Sequence, residues 1–209
     1  GSEEVASAKV ILVTTREADL TALKDVNLEI SNGNVVANEK MESSLKNVYV
    51  PGDVNGKKLL AHAAFKMGYI AASEIVEGKS DKYNNNIIPR AIYTYPEIGS
   101  VGLTEEEAKK SYDVKVGKFN YGANGRALAH GDSSGMVKII SDARYGEILG
   151  AHIVGPRASE LINEVSILMQ SEVIVEEAIK MVFGHPTFSE AIYEAIADVE
   201  GVSVHLPKK

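Results

Sequence analysis

The stretch from Gly135 to Met169 limits the possible folds of this 209-residue chain more than any other. Gly135–Ser141 and Glu147–Val154 read as two β-strands joined through a turn at 142–146. Gly155-Pro156 then opens a long helix in which Leu161, Ile162, Val165, Leu168 and Met169 recur at helical spacing. That stripe is a core-facing one and carries no cofactor pattern of its own. A hairpin with a face to bury, followed at once by a helix with a stripe to bury, is satisfied by packing one on the other. Neighbouring segments add to the same layer: strands are expected at Ala91–Tyr95 and Val114–Tyr121, and Thr104-x-x-Glu107 is a capping box that starts a helix over Glu105–Ser111. Gly122–Gly125 reads as a loop, and a second helix is expected over Val173–Val182. Residues 87–209 therefore predict an α+β domain, an antiparallel sheet with helices on one face.

Upstream, KVILVT (9–14) reads as a buried strand, and Val26–Ile30 alternates like a half-buried one. Asn32-Gly33 is a turn signal that returns Asn34–Val36 as a hairpin partner. Val48–Val50 reads as a strand closed by Gly52-Asp53, and Ala61–Val76 has the small, apolar content of a buried helix ending near Gly78. The polar run Lys79–Asn86 is a linker.

The net charge of −7 argues against a nucleic-acid or anionic-membrane surface, and no apolar run is long enough to span a bilayer. Cysteine is absent, which excludes disulfides and thiolate metal sites and fits a cytoplasmic protein. His130 with Asp132 reads as a solvated pair, and His152 and His205 have no carboxylate or histidine at a ligand spacing, so no metal site is expected.

Two stretches carry candidate chemistry. In Gly184–Ala195, GHPTFSEAIYEA, Pro186 holds His185 extended just outside a helix expected to begin near Thr187. Glu190 then falls in the first turn, within reach of the imidazole, and a carboxylate on one ring nitrogen makes the other a positioned base. Thr187-x-x-Glu190 reads equally as a capping box, and the residues leave both readings open. In Asn47–Val54, NVYVPGDV, an acidic residue closes the carboxyl end of a strand, where it can accept bonds from sugar hydroxyls or simply end a turn.

HPTFSEA resembles the catalytic signature of the dihydrolipoamide dehydrogenases, which are flavin disulfide reductases. NVYVPGDV followed by LLAHAA resembles their second FAD-binding segment, and IPRAIYTYPEIGSVGLTEEEAKK resembles the opening of their dimerisation domain. The resemblance implies that His185 is the acid–base partner of a redox cysteine pair in the other subunit, that Glu190 orients it, and that the His185–Pro186 bond is cis. It implies further that Asp53 binds the ribityl chain of FAD, with Leu59, Leu60, Ala61 and His62 as a second contact. The parent reaction would be oxidation of dihydrolipoamide on a lipoyl domain of a 2-oxoacid dehydrogenase or glycine cleavage complex, passing electrons through a cysteine pair and FAD to NAD. A homodimer is implied. Glutathione- or mercuric-reductase-like enzymes share the pattern, and a purely dimerising module is a further alternative.

The chain departs from the family in two ways: it has neither the CxxxxC pair nor a GxGxxG segment. The Thr14–Ala18 stretch also lacks the Gly-Arg-x-Pro pattern of many relatives, so no NAD contact is carried onto it. The expectation is the C-terminal part of a longer reductase, with residues 8–84 a partial α/β FAD/NAD-binding region and 87–209 the dimerisation domain. By itself such a piece should be inactive and hold FAD poorly, because the pyrophosphate cradle is missing.

Overall fold

A computed structural model describes Lys9, Ile11, Val13 and residues 16–207. The strand expected over 9–14 falls largely outside the described residues. The chain divides into two compact units, residues 1–83 and 84–209.

The second unit is built on five antiparallel strands, β3 (Arg90–Ile92), β4 (Ile98–Gly102), β5 (Val114–Asn120), β6 (Met136–Asp142) and β7 (Ile148–Val154), in the order β3-β4-β7-β6-β5. β6 and β7 form the expected hairpin, with a bulge at Ile140/Ser141. Its turn is held by Asp142, whose carboxylate accepts the Tyr145 N–H at 2.9 Å. β5 runs along β6 in full register from Val114↔Asp142 to Asn120↔Met136.

Successive strand residues point to opposite faces, and each face has its own cover. One face presents Val101, Phe119, Val137, Ile139, Ala151 and Ile153 to the helices α4 (Ala158–Gln170) and α6 (Glu190–Val199). α4 lies over β4 and β7, α6 over β5 and β6, and α5 (Val175–Ile179) packs on α6. On the other face Ile140 and Leu149 are covered by Ala108 of α2 (Glu105–Ala108). The helices are thus not confined to one face: the short α2, started by the expected Thr104–Glu107 capping box, crosses to the far side.

Several boundaries differ from the sequence reading. β3 ends at Ile92, α4 starts three residues after Gly155, and α5 is half the expected length. β4 was not expected, because Gly99 and Gly102 dilute its β signal. The expected loop at 122–125 instead leads into a short helix, α3 (Gly125–His130), started by the Asn124 side chain accepting the Ala127 N–H at 2.9 Å.

In the first unit, Asn32 and Gly33 take positive φ and join β1 (Ile30–Ser31) to β2 (Asn34–Val35). The alternation at 26–30 yields only its last residue as strand. The strand expected at 48–50 is a single bridge, Tyr49 to Glu42, since the segment pairs only with the turn just before it. α1 (Ala61–Glu77) ends at Gly78, whose N–H donates to the Glu74 carbonyl. Ala63, Met67, Ile70 and Ala71 face inward, but Phe65 and Val76 are about four-fifths exposed, 78% and 81%. α1 is therefore an amphipathic surface helix in this unit, not a buried one.

Gly117 of β5 fixes how closely α6 approaches the sheet: a Cβ there would overlap the Ala195 carbonyl and crowd the Val199 amide. Backbone cannot yield as a side-chain tip can. Gly117→Ala should lower stability by roughly 1–3 kcal/mol, the usual cost of overpacking, read as a reduced urea midpoint with an unchanged slope.

Candidate active site

α6 begins at Glu190, three residues later than expected, and the segment before it is fixed from several sides. Phe188 is buried, its ring edge-on to Tyr121 at 6.2 Å and 5.6 Å from the ring of His130. Asn124 donates to the Thr187 carbonyl at 3.0 Å, and the Ser189 hydroxyl donates to Glu164 at 2.7 Å. The bond between His185 and Pro186 is cis.

On this base the structure brings His185 and Glu190 together, with Nδ1 2.8 Å from Oε1. The other carboxylate oxygen accepts the Thr187 N–H, also at 2.8 Å. The two readings of this stretch therefore coexist in one side chain: half a capping box and one half of a dyad. The forward half of the box is missing, because the Thr187 hydroxyl donates to the Gly184 carbonyl at 2.7 Å instead. A neutral ring that donates from Nδ1 to Glu190 has its lone pair on Nε2, and the ring is 73% exposed. That arrangement can accept a proton from a group brought to it.

A second histidine–carboxylate pair lies one turn further along α6. Glu194 is 3% exposed, and its carboxylate meets His205 Nδ1 at 2.8 Å. It also accepts the N–H groups of Val204 at 3.0 Å and His205 at 3.1 Å, and the Ser203 hydroxyl. Burial pushes this carboxyl up, but the bonds from Ser203 and His205 outweigh it and leave the group below the ordinary carboxylate range. The sequence reading gave His205 no partner because the two lie eleven residues apart. The available signal was Glu194 itself, an acid on the apolar side of a helix, which needs a partner there.

In the first unit, Gly52 takes φ 89° and Asp53 opens a short 3₁₀ turn, Asp53–Asn55. The Asp53 carboxylate lies 3.3 Å from Arg16 Nη2, which donates to the Leu59 carbonyl at 2.7 Å. Arg16, set aside in the sequence reading, thus joins two of the candidate FAD contacts. Leu60 is extended before α1, whose first two residues are Ala61 and His62. A helix N-terminus beside a carboxylate suits a ligand with both acceptor edges and hydroxyls, as a flavin and its ribityl chain have. Asp53, Leu59, Leu60, Ala61 and His62 belong to one unit, His185 and Glu190 to the other. Among the described residues, no three histidine or acidic side chains converge as metal ligands, and no helix is long and apolar enough to cross a membrane.

The dimerisation-domain profile of the pyridine nucleotide-disulphide oxidoreductases matches residues 88–196, just over half of the chain. The chain belongs to this family. A second profile of the same oxidoreductases matches residues 1–68. Among curated relatives, a dihydrolipoyl dehydrogenase of Bacillus subtilis is 39% identical over 184 residues, 88% of this chain and 40% of the relative. One from Thermus scotoductus is 37% identical over 208 residues, 98% of this chain and 45% of the relative. The chain thus spans less than half the length of these relatives. Among solved structures, LpdA of Mycobacterium tuberculosis superposes with a TM-score of 0.80 at 24% identity, over 85% of this chain and 39% of that one. At that identity the likeness speaks for the fold.

The buried Glu194 gives the fold an acid-sensitive point. Its carboxyl sits lower folded than unfolded, so the stability it contributes is present above the ordinary carboxylate range and is lost as pH falls through the folded value. Glu194→Ala should cost roughly 1–3 kcal/mol at neutral pH by removing the acceptor that the Ser203, Val204 and His205 donors share. In urea titrations across the acid range the variant should also show a flatter loss of stability than the parent.

Proposed function

We propose that this chain supplies the flavin-contacting segment and the dimerising, proton-accepting domain of a dihydrolipoyl dehydrogenase. In this reading residues 8–84 complete an FAD/NAD-binding region and residues 87–209 form the homodimer interface. The observation that carries it is the His185–Glu190 bond of 2.8 Å on an exposed ring, held by a rigid loop. The likeness to curated dihydrolipoyl dehydrogenases over most of this chain supports it.

In this mechanism Nε2 of His185 takes the proton of a thiol of dihydrolipoamide, and the thiolate so formed is the sulfur that attacks the disulfide. Glu190 holds the ring in the needed tautomer and balances the charge that the ring gains, while the Thr187 N–H keeps that carboxylate aimed. The cysteine pair is not in this chain and comes from the remainder of the enzyme, in the partner subunit. Asp53 and the start of α1 would hold FAD, which when bound takes two electrons from the sulfur centre and passes them to NAD. The protein-bound dihydrolipoamide of a lipoyl domain is the substrate.

In the full-length enzyme His185→Gln should keep flavin and dimer but lower dihydrolipoamide turnover by about 10²–10⁴-fold, the usual worth of a positioned base. Glu190→Gln should cost less, because the ring keeps a bonding partner. Parental turnover in the histidine variant would refute the assignment. Self-association is tested on this chain directly: sedimentation at micromolar concentration should show a two-fold dimer through residues 87–209, whereas a monomer at every concentration would count against the interface.

A further inference from the structure

The turn that carries Asp53 is tied to α1 by sulfur. Met67, on the second turn of α1, is completely buried, and its Sδ accepts the Gly52 N–H at 3.3 Å. The same sulfur lies 3.4 Å from Asn55 Nδ2. Asn55 is itself buried, donates to the Val50 carbonyl at 2.8 Å, lies 3.6 Å from the sulfur of the buried Met41, and accepts the Lys57 N–H at 2.9 Å. So the residues on both sides of Asp53 are fixed to one thioether in the helix whose start is the other candidate flavin contact.

We propose that Met67 and Asn55 are positioning residues that set the Asp53 carboxylate against the start of α1 for flavin binding. This rests on the reading of Asp53 as a flavin contact. The geometry calls for such a tie. Gly52 takes a positive φ with its N–H turned into the unit, and a buried N–H without an acceptor is costly. A thioether meets that need as a weak, polarisable and uncharged acceptor. A carboxylate in its place would bond more strongly but would bring a second negative charge close to Asp53. The neutral sulfur leaves the Asp53–Arg16 pair as the charged element of this turn. Sulfur also bonds with loose directionality, so one atom can serve both the backbone of Gly52 and the side chain of Asn55.

Met67→Leu keeps the volume and removes the acceptor. In the 209-residue chain the Gly52 amide should then exchange with solvent about tenfold faster, by NMR, with the melting temperature lowered by only a few degrees. In the full-length reductase the apparent Kd for FAD, measured by reconstituting the apoprotein, should rise about tenfold. The visible circular dichroism of the bound flavin should shift. Asn55→Ala should do the same, and the double variant should fall short of the sum because the two residues act through one contact. Unchanged Gly52 exchange in Met67→Leu would show that the tie does not exist. Faster exchange with parental FAD affinity and dichroism, while Asp53→Ala loses FAD, would show a tie that positions nothing. If Asp53→Ala itself kept parental affinity, the reading of Asp53 would fall and the positioning role with it, while the exchange result would still report on the sulfur contact.

Discussion

How close α6 can come to the sheet is the constraint on which the second unit depends. The helix lays Ala191, Ile192, Ala195, Ile196 and Val199 against β5 and β6, and only a strand residue without a side chain leaves room for the Ala195 carbonyl. Small residues on the helix answer a glycine on the strand, so the contact is backbone against backbone. Such contacts are stiff, because interiors are packed as densely as organic crystals and neither partner has a rotamer to spend. Since Glu190 is the first residue of α6, the stiffness of that seat becomes the positional accuracy of the carboxylate, and through it of the imidazole.

α6 also shows how one helix can set two acids to different tasks. Glu190 and Glu194 are one turn apart and each meets a histidine Nδ1 at 2.8 Å. Glu190 sits at the helix start, partly open, holding an exposed ring from a loop that leads into the helix. Glu194 is sealed in the middle and spends all its acceptor capacity on the segment that follows. Burial makes the difference: an enclosed carboxylate filled with donors is a structural tie, while a partly open one leaves the ring it holds accessible.

The parts of this fold legible in the sequence are those set by local periodicity. The β6–β7 hairpin, the α4 stripe and the Thr104–Glu107 cap all depend on neighbours within a few residues. β4 was not legible, because its two glycines are chosen by what packs on them: Gly99 abuts the Ala158 carbonyl of α4, and Gly102 the Leu149 carbonyl of β7. The exposure of α1 was not legible either, since Phe65 and Val76 read as core in any composition window. At the site, His185 and Glu190 lie five residues apart and could be paired on paper. Arg16 with Asp53, Met67 with Gly52 and Glu194 with His205 are long-range meetings that only the folded chain reveals.

The grip of Glu194 on Ser203, Val204 and His205 also bears on how this chain can be handled at the bench. Chain ends are commonly loose and tolerate fusion or trimming, and tolerance follows from burial and bonding of the backbone concerned. Here Ser203, Val204 and His205 are the donor set for an enclosed anion. Trimming back to Gly201 would remove every one of those donors and leave an acid sealed on the inner side of α6. A purification tag or fluorescent partner placed after this segment therefore needs a spacer long enough that its motion is not transmitted to Ser203.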